Sequence, residues 1–378
     1  MSHTTTPAGG TAAGLEAAAE VPRGRVITAS LVGTSIEFYD FYVYATAAVS
    51  VFPLIFFPGD DQTTALLASF AVFGTAFVAR PIGSVLFGHF GDILGRKVTL
   101  IGSLLTMGIA TFLIGLLPTA FQIGLWAPAM LVVLRFCQGL GLGGEWSGAA
   151  LLATEYAAEG KRARAAMWPQ LGAPIGFLLA NGLFLALVIG FGHDSTNPDH
   201  DGAFLNWVWR VPFLLSIVMV MIGLWVRLQV EETPVFQQVE ANDKKAASPL
   251  AEVFKTAWKP LIQGTFIMVG CYTLFYIVTT WFLSYGIGSA EEGVGLGIAY
   301  PTFLKLQLVC IFGFMLGIPV SAHLADTYGR RPVLGLTSAA IIVYGLCFKW
   351  LLNPDTFTMI SLGIFLFIGM ILMGFIFG

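Results

Sequence analysis

FAVFGTAFVARPIGSVLFGHFGDILGRKVTL, residues 70–100, carries two signals that point the same way. Its first part, Phe70 to Phe90, is long enough to cross a bilayer as a helix and has one charge, Arg80. A cation in hydrocarbon costs about 2.5–3.5 kcal/mol even on the lenient insertion scale. Arg80 therefore calls for partners, and candidates stand in other apolar stretches: Glu37 and Asp40 in the first, Arg135 and Glu145 in the fourth. Ionisable groups set in oil point to a polar pathway. The second part, HFGDILGRKVTL from His89, recurs as HLADTYGRRPVL from His323, with His, Asp, Gly, Arg and the final Leu identical and Lys matched by Arg. Two duplicated helical halves with a site between them is a transporter plan.

Composition agrees. The chain is 56% hydrophobic and 11% charged, with a mean hydropathy of +0.80, well outside the soluble range. This predicts an all-α polytopic membrane protein in contact with the lipid bilayer. A net charge of −3, with no basic cluster denser than Lys161, Arg162 and Arg164, argues against a nucleic-acid partner. Cys137, Cys271, Cys310 and Cys347 all fall in apolar runs and read as small buried hydrophobes, not metal ligands. His193 and His200 lie in an acidic loop that reads as solvated, so no metal and no cofactor are expected.

Apolar stretches near 26–56, 63–90, 98–118, 126–153, 166–191, 207–228, 260–286, 301–322, 333–352 and 357–378 give ten candidate spans. Residues 1–25 read as a disordered tail with no signal peptide, 26–228 as a six-helix bundle, 229–259 as a charged linker and 260–378 as an incomplete four-helix bundle. After Lys97 the first half runs on to Leu228, whereas after Arg331 the second stops at Gly378. The difference is room for two spans, so a twelve-span architecture truncated at its C-terminus is expected. Fourteen of the nineteen basic residues fall in the tail and alternate loops, which places the N-terminus in the cytoplasm.

With IEFYDFYVYA, ARPIGSVLFGHFGDILGRK, RFCQGLGLGGEWSGAALLATE, PQLGAPIGFLLANG and LADTYGRRPVL all present, the chain resembles the metabolite:proton symporter family of the major facilitator superfamily, near shikimate, proline/betaine and dicarboxylate carriers. The resemblance implies a major facilitator fold and proton-coupled uptake of a small organic acid or zwitterion by alternating access. It further implies a monomer in the bacterial inner membrane, with the proton as coupling ion. A proton-independent facilitator or an efflux carrier is the alternative, and a membrane-embedded enzyme a remote one, since no HExxH or GxSxG stands in the sequence. The family's loop signature has a basic residue after the Asp, where this chain has Ile93 and Thr327.

Individual roles follow. By helix rise, Glu37 and Asp40 lie about 16–21 Å into the first span, Arg80 about 16 Å from the same side and Glu145 about 14 Å. Glu37, Asp40 and Tyr44 share a face by their spacing of three and four. Arg80 is the candidate for a substrate carboxylate, because its planar fork makes two hydrogen bonds at once. Glu145, Tyr44, Gln138, Gln170, Asn181, Tyr272 and Tyr276 are further substrate candidates; the plainer reading is a structural pair with Arg80 for Glu145, interhelical bonding for Gln138, Gln170 and Asn181, and packing for Tyr272 and Tyr276. Resemblance to proton-coupled sugar carriers implies that Arg135 approaches Asp40, so that losing the guanidinium favours proton uptake by the acid; Glu37 joins this coupling set. In the repeated loop, Gly88 would let helices approach, Gly95 permit a turn, and Arg96 and Lys97 hold it. Asp92 would latch onto a helix N-terminus in the other half. Asp326, Gly329, Arg330 and Arg331 are the second-half gating counterparts. GLGLGG, residues 139–144, follows no strand and reads as a packing stripe, not a nucleotide loop.

Overall fold

The computed structural model describes residues 23–59, 61–94, 96–155, 160–192, 202–228, 256–290, 293, 295–348 and 358–378. Residues 1–22, the loop 193–201, the connector 229–255 and Gly95 lie outside the described residues, as do the side chains of Asp92, Arg96, Lys97 and Glu145.

Among the described residues ten long helices and no strand are present: α1 (Arg23–Ser50), α2 (Gln62–Leu94), α3 (Arg96–Leu116), α4 (Trp126–Glu155), α5 (Arg162–Phe191), α6 (Val211–Leu228), α7 (Trp258–Ile287), α8 (Tyr300–Tyr328), α9 (Arg330–Leu346) and α10 (Met359–Phe377). Each falls on one of the ten apolar stretches; α1 begins at Arg23, slightly ahead of the expected Val26. Eight are long and apolar enough to qualify as spans on composition alone. The exceptions are α1, which carries Glu37 and Asp40, and α9, which has 17 residues. Exposed Leu, Ile, Val, Phe and Trp cover the outside of the helices, as expected of a surface meeting lipid.

Close approach rests on glycine. A Cβ at Gly83 would overlap the Leu140 carbonyl, one at Gly143 the Arg80 carbonyl, and one at Gly139 would stand 2.6 Å from Ala76 Cα, so α2 and α4 touch backbone to backbone. The residues 139–144 are therefore a packing seam. Gly172 and Gly176 do the same between α5 and α1, against Thr34 and Phe38. Gly88 departs from the expectation, because a methyl group there would meet nothing within 4 Å. Five residues beyond Gly83, it is turned about 140° around the helix and away from the seam.

Helix ends meet their unsatisfied N–H groups in different ways. Asp61 caps α2, its carboxylate accepting from the amides of Thr63 (3.2 Å) and Thr64 (3.1 Å) and from the Thr64 hydroxyl. The Thr64 hydroxyl, with these amides, holds the Asp61 carboxyl below its usual range. Thr358 and Ser361 cap α10 reciprocally. The first residue before α5 is Lys161, which offers no acceptor. Its cap comes from the other half of the chain.

Candidate functional site

A cavity of about 250 Å³ lies between α1, α2, α4 and α7, lined by Glu37, Phe38, Phe41, Arg80, Ser84, Leu142, Gly143, Tyr272, Phe275 and Tyr276. Glu37 and Arg80 come from the first half, the two tyrosines from the second. The charged pair reaches this level because α1 and α2 run side by side and each carries its ionisable residue mid-helix. Pro81 follows Arg80 inside α2 and removes one backbone donor. The Ser84 hydroxyl lies 2.9 Å from the Arg80 carbonyl and 3.0 Å from the Gly143 carbonyl, tying this turn to α4. The guanidinium rests over Phe41 (5.5 Å) and Phe77 (5.6 Å), with Nε bonded to nothing. Glu37 Oε2 is likewise buried without a partner, and no ion pair within 4 Å joins the two. A cation and an anion that share a cavity unpaired present both signs to a guest.

Behind this cavity is a second, dry cluster. Asp40 and Arg135 are each 0% exposed, and neither lines the cavity. The resemblance implies an Asp40–Arg135 approach; in this conformation they form no hydrogen bond, and both Asp40 oxygens lack a well-aligned donor, with the Thr111 hydroxyl the polar group beside them. Arg135 donates instead to Gln138 Oε1 and lies over the rings of Tyr44 (3.9 Å), Phe73 (4.7 Å) and Phe41 (5.7 Å). Gln138 Nε2 donates to the Thr111 hydroxyl (2.9 Å) and more distantly to the Asp40 backbone carbonyl (3.4 Å). The aromatic rings give the guanidinium cation–π contact in place of the acid, while its Nε and Nη2 stay buried without a hydrogen bond.

The expected substrate set therefore divides. Arg80, Tyr272 and Tyr276 meet in the cavity together with Glu37; Tyr44 and Gln138 belong to the dry cluster. Asn181 Oδ1 accepts from Thr46 across the α1–α5 contact (2.6 Å) and Gln170 is buried with Oε1 unpartnered; neither lines the cavity. Phe38, Phe41 and Phe275 were not anticipated, since a phenylalanine in a membrane helix carries no signal beyond packing. Among the described residues no group of His, Cys, Asp and Glu is disposed to hold a metal, and the four cysteines are unpaired.

At one end of the helices, Asp326 at the foot of α8 reaches the N-terminus of α5. Its carboxylate accepts from the backbone amides of Ala163 (3.0 Å) and Arg164 (3.1 Å), and Arg164 Nε stands 3.9 Å away. His323 Nδ1 contacts the same arginine. The Arg164 side chain is 42% exposed, so its ion pair adds little, and the two amide bonds carry the contact. Gly329, at φ +92°, makes the turn that follows, a conformation open chiefly to glycine. At the opposite end the Ser50 hydroxyl and the Tyr300 hydroxyl are 3.3 Å apart.

Comparison with known proteins fits this geometry. Residues 26–263 match the family described as sugar (and other) transporters. The chain is 49% identical over 94% of its length to the inner membrane metabolite transport protein YhjE of Escherichia coli (strain K12), covering 78% of that protein. The chain belongs to the major facilitator superfamily. Like other members of this superfamily it is a multi-pass membrane transporter and not an enzyme. It is 40% identical to the shikimate transporter of Escherichia coli (strain K12), over 82% of this chain and 68% of that one. It is 31% identical to the proline/betaine transporter of the same organism, over 90% and 67%. Among solved structures, the proton:xylose symporter XylE bound to 6-bromo-6-deoxy-D-glucose superposes with a TM-score of 0.64 at 16% identity, over 94% of this chain and 80% of that one, a likeness of fold alone.

Proposed function

We propose that this superfamily member is a proton-coupled uptake carrier for a small carboxylated or zwitterionic metabolite, working by alternating access in the bacterial inner membrane. The observation that carries the reading is that Arg80 and Glu37, not bonded to each other, line one small cavity with Tyr272 and Tyr276 of the other half. Arg80 holds the substrate carboxylate through two N–H groups, and Glu37 receives a cationic or hydroxyl-bearing end. A cavity of about 250 Å³ is smaller than the roughly 300–1,000 Å³ of drug-sized pockets, which suits a metabolite of few atoms.

Asp40 supplies the coupling. A carboxylate wholly removed from water with no partner is costly in its ionised form. In this conformation Asp40 holds a proton taken from hydronium, leaving water; when Arg135 turns from Gln138 toward the carboxylate, the proton departs to water on the other side. The end that carries the Asp326 contact faces the cytoplasm, in keeping with the basic loops there. The relatives' names, a shikimate transporter and a proline/betaine transporter, support an organic acid or a zwitterion as cargo.

Thermal-shift screening against shikimate, dicarboxylates, proline and betaine identifies the ligand. Uptake of that ligand into proteoliposomes, with and without an inward proton gradient, then tests the mechanism. Accumulation above equilibrium only with the gradient is expected, and Asp40→Asn abolishes it. Equilibration that ignores the gradient would make the protein a facilitator.

A further inference from the structure

The two charged clusters meet at one ring. The guanidinium carbons of Arg80 and Arg135 stand 5.5 and 5.7 Å from the centroid of Phe41, which lines the cavity while its chain neighbour Asp40 does not. The ring is held from the first half by Phe73 (5.5 Å) and Tyr42 (5.5 Å), and from the second by Tyr276 (5.8 Å) and Phe275 (6.1 Å). Part of its support therefore belongs to the half that must move during transport.

We propose that Phe41 is the partition between the substrate cavity and Asp40, a positioning residue that sets when cavity water reaches the buried acid. The inference rests on the proton-coupled reading above. While the halves are together, Phe275 and Tyr276 hold the ring in place and Asp40 stays dry. Separation of the halves removes those two contacts, and the ring is free to turn away. A substrate carboxylate acts in the same sense, because it draws the Arg80 guanidinium off the ring face and cancels part of the attraction that holds it. Water then enters and the acid exchanges with it: a protonated Asp40 gives its proton to water as hydronium, and an ionised Asp40 takes one from hydronium, which leaves as water. The ring thereby makes proton access conditional on substrate and on the state of the halves, which an open polar path does not do.

The test needs no knowledge of the cargo. A water-soluble carbodiimide with glycinamide converts accessible carboxyl groups to amides, and mass spectrometry reads Glu37 and Asp40 in the same protein. In the wild-type chain Glu37 is modified and Asp40 is protected. Phe41→Ala and the bulkier Phe41→Leu should raise the Asp40:Glu37 ratio about tenfold or more, whereas Phe41→Trp, which keeps a ring, leaves it low. Asp326→Ala, which frees one end of the halves without touching the ring, should raise it as well. Asp40 modified as readily as Glu37 in the wild type, or a ratio unmoved by both Phe41 variants in folded protein, would overturn the partition. Proton entry into pyranine-loaded liposomes after an acid pulse separates this from the wider reading. Phe41→Ala should leak several-fold faster than wild type, and the added Asp40→Asn should stop the leak. A changed labelling ratio with no leak keeps the partition and removes Asp40 from proton coupling.

Discussion

Arg80 shows what one side chain can and cannot reveal. Its position mid-span, beside a proline, was visible in the sequence, because a guanidinium in oil has few innocent explanations. Its meeting with Glu37 follows the helix-rise estimate of depth, which assigns no level to Tyr272 and Tyr276. The partner of Arg135 was not legible. Charge alone favours Asp40, but three aromatic rings and the Gln138 amide compete for the guanidinium, and sequence spacing contains no term for rings on other helices. Lysine at position 80 keeps the charge and loses the fork, so Arg80→Lys should weaken binding of a carboxylated ligand. One charge-assisted hydrogen bond is worth about 1.5–3 kcal/mol, which corresponds to roughly 10- to 100-fold in Kd. Titration of the identified ligand by calorimetry checks this, and unchanged affinity would remove Arg80 from the binding site.

Individual helices were read well from apolar length, and all ten fall where expected. Their seams were half legible. The stripe from Gly139 to Gly144 announced a close contact, whereas Gly88 looked equivalent and faces open space; a glycine's use depends on which side of its helix a neighbour occupies. At Gly143 the contact is with the Arg80 carbonyl itself. Gly143→Ala should therefore push α2 from α4 and cost about 1–3 kcal/mol as overpacking, while also shifting Arg80. A melting temperature lowered by a few degrees together with weaker ligand binding is the expected result; Gly88→Ala should change neither. Another element-level device is the π turn of α7 at Ile277–Trp281, just above Tyr276. Gln307 Nε2 of α8 donates to the Val278 (3.3 Å) and Thr279 (3.0 Å) carbonyls within this turn. Gln307→Leu strips both bonds, and about 0.5–1.5 kcal/mol of stability should go with each, measured in the same melts.

Across the whole molecule, the halves are bridged at both ends, by Asp326 on α5 and by Ser50 with Tyr300, and the cavity lies between. The duplicated loop suggests a carboxylate latch at Asp92, whose side chain lies outside the described residues; the contact on α5 is made by its counterpart Asp326, and it becomes legible only when one notices that Lys161 leaves that helix end without a cap of its own. Asp326→Ala should remove about 1–2 kcal/mol from the closed arrangement of this end, a change of roughly 5- to 30-fold in its population. Distances between spin labels at positions 162 and 331, both exposed, should then shift toward longer values. An unaltered distribution would mean that the contact follows closure without helping to hold it.

The atoms that Asp326 grips on α5 are main-chain amides, which every amino acid but one possesses. Residue 164, whose side chain is 42% exposed, is thus free to drift in identity without loosening the clasp, buried Ala163 need only stay small, and proline is the single replacement that would silence a donor. The burden of heredity falls on one side of the joint: on the acid that reaches across, and on the glycine that turns the chain behind it.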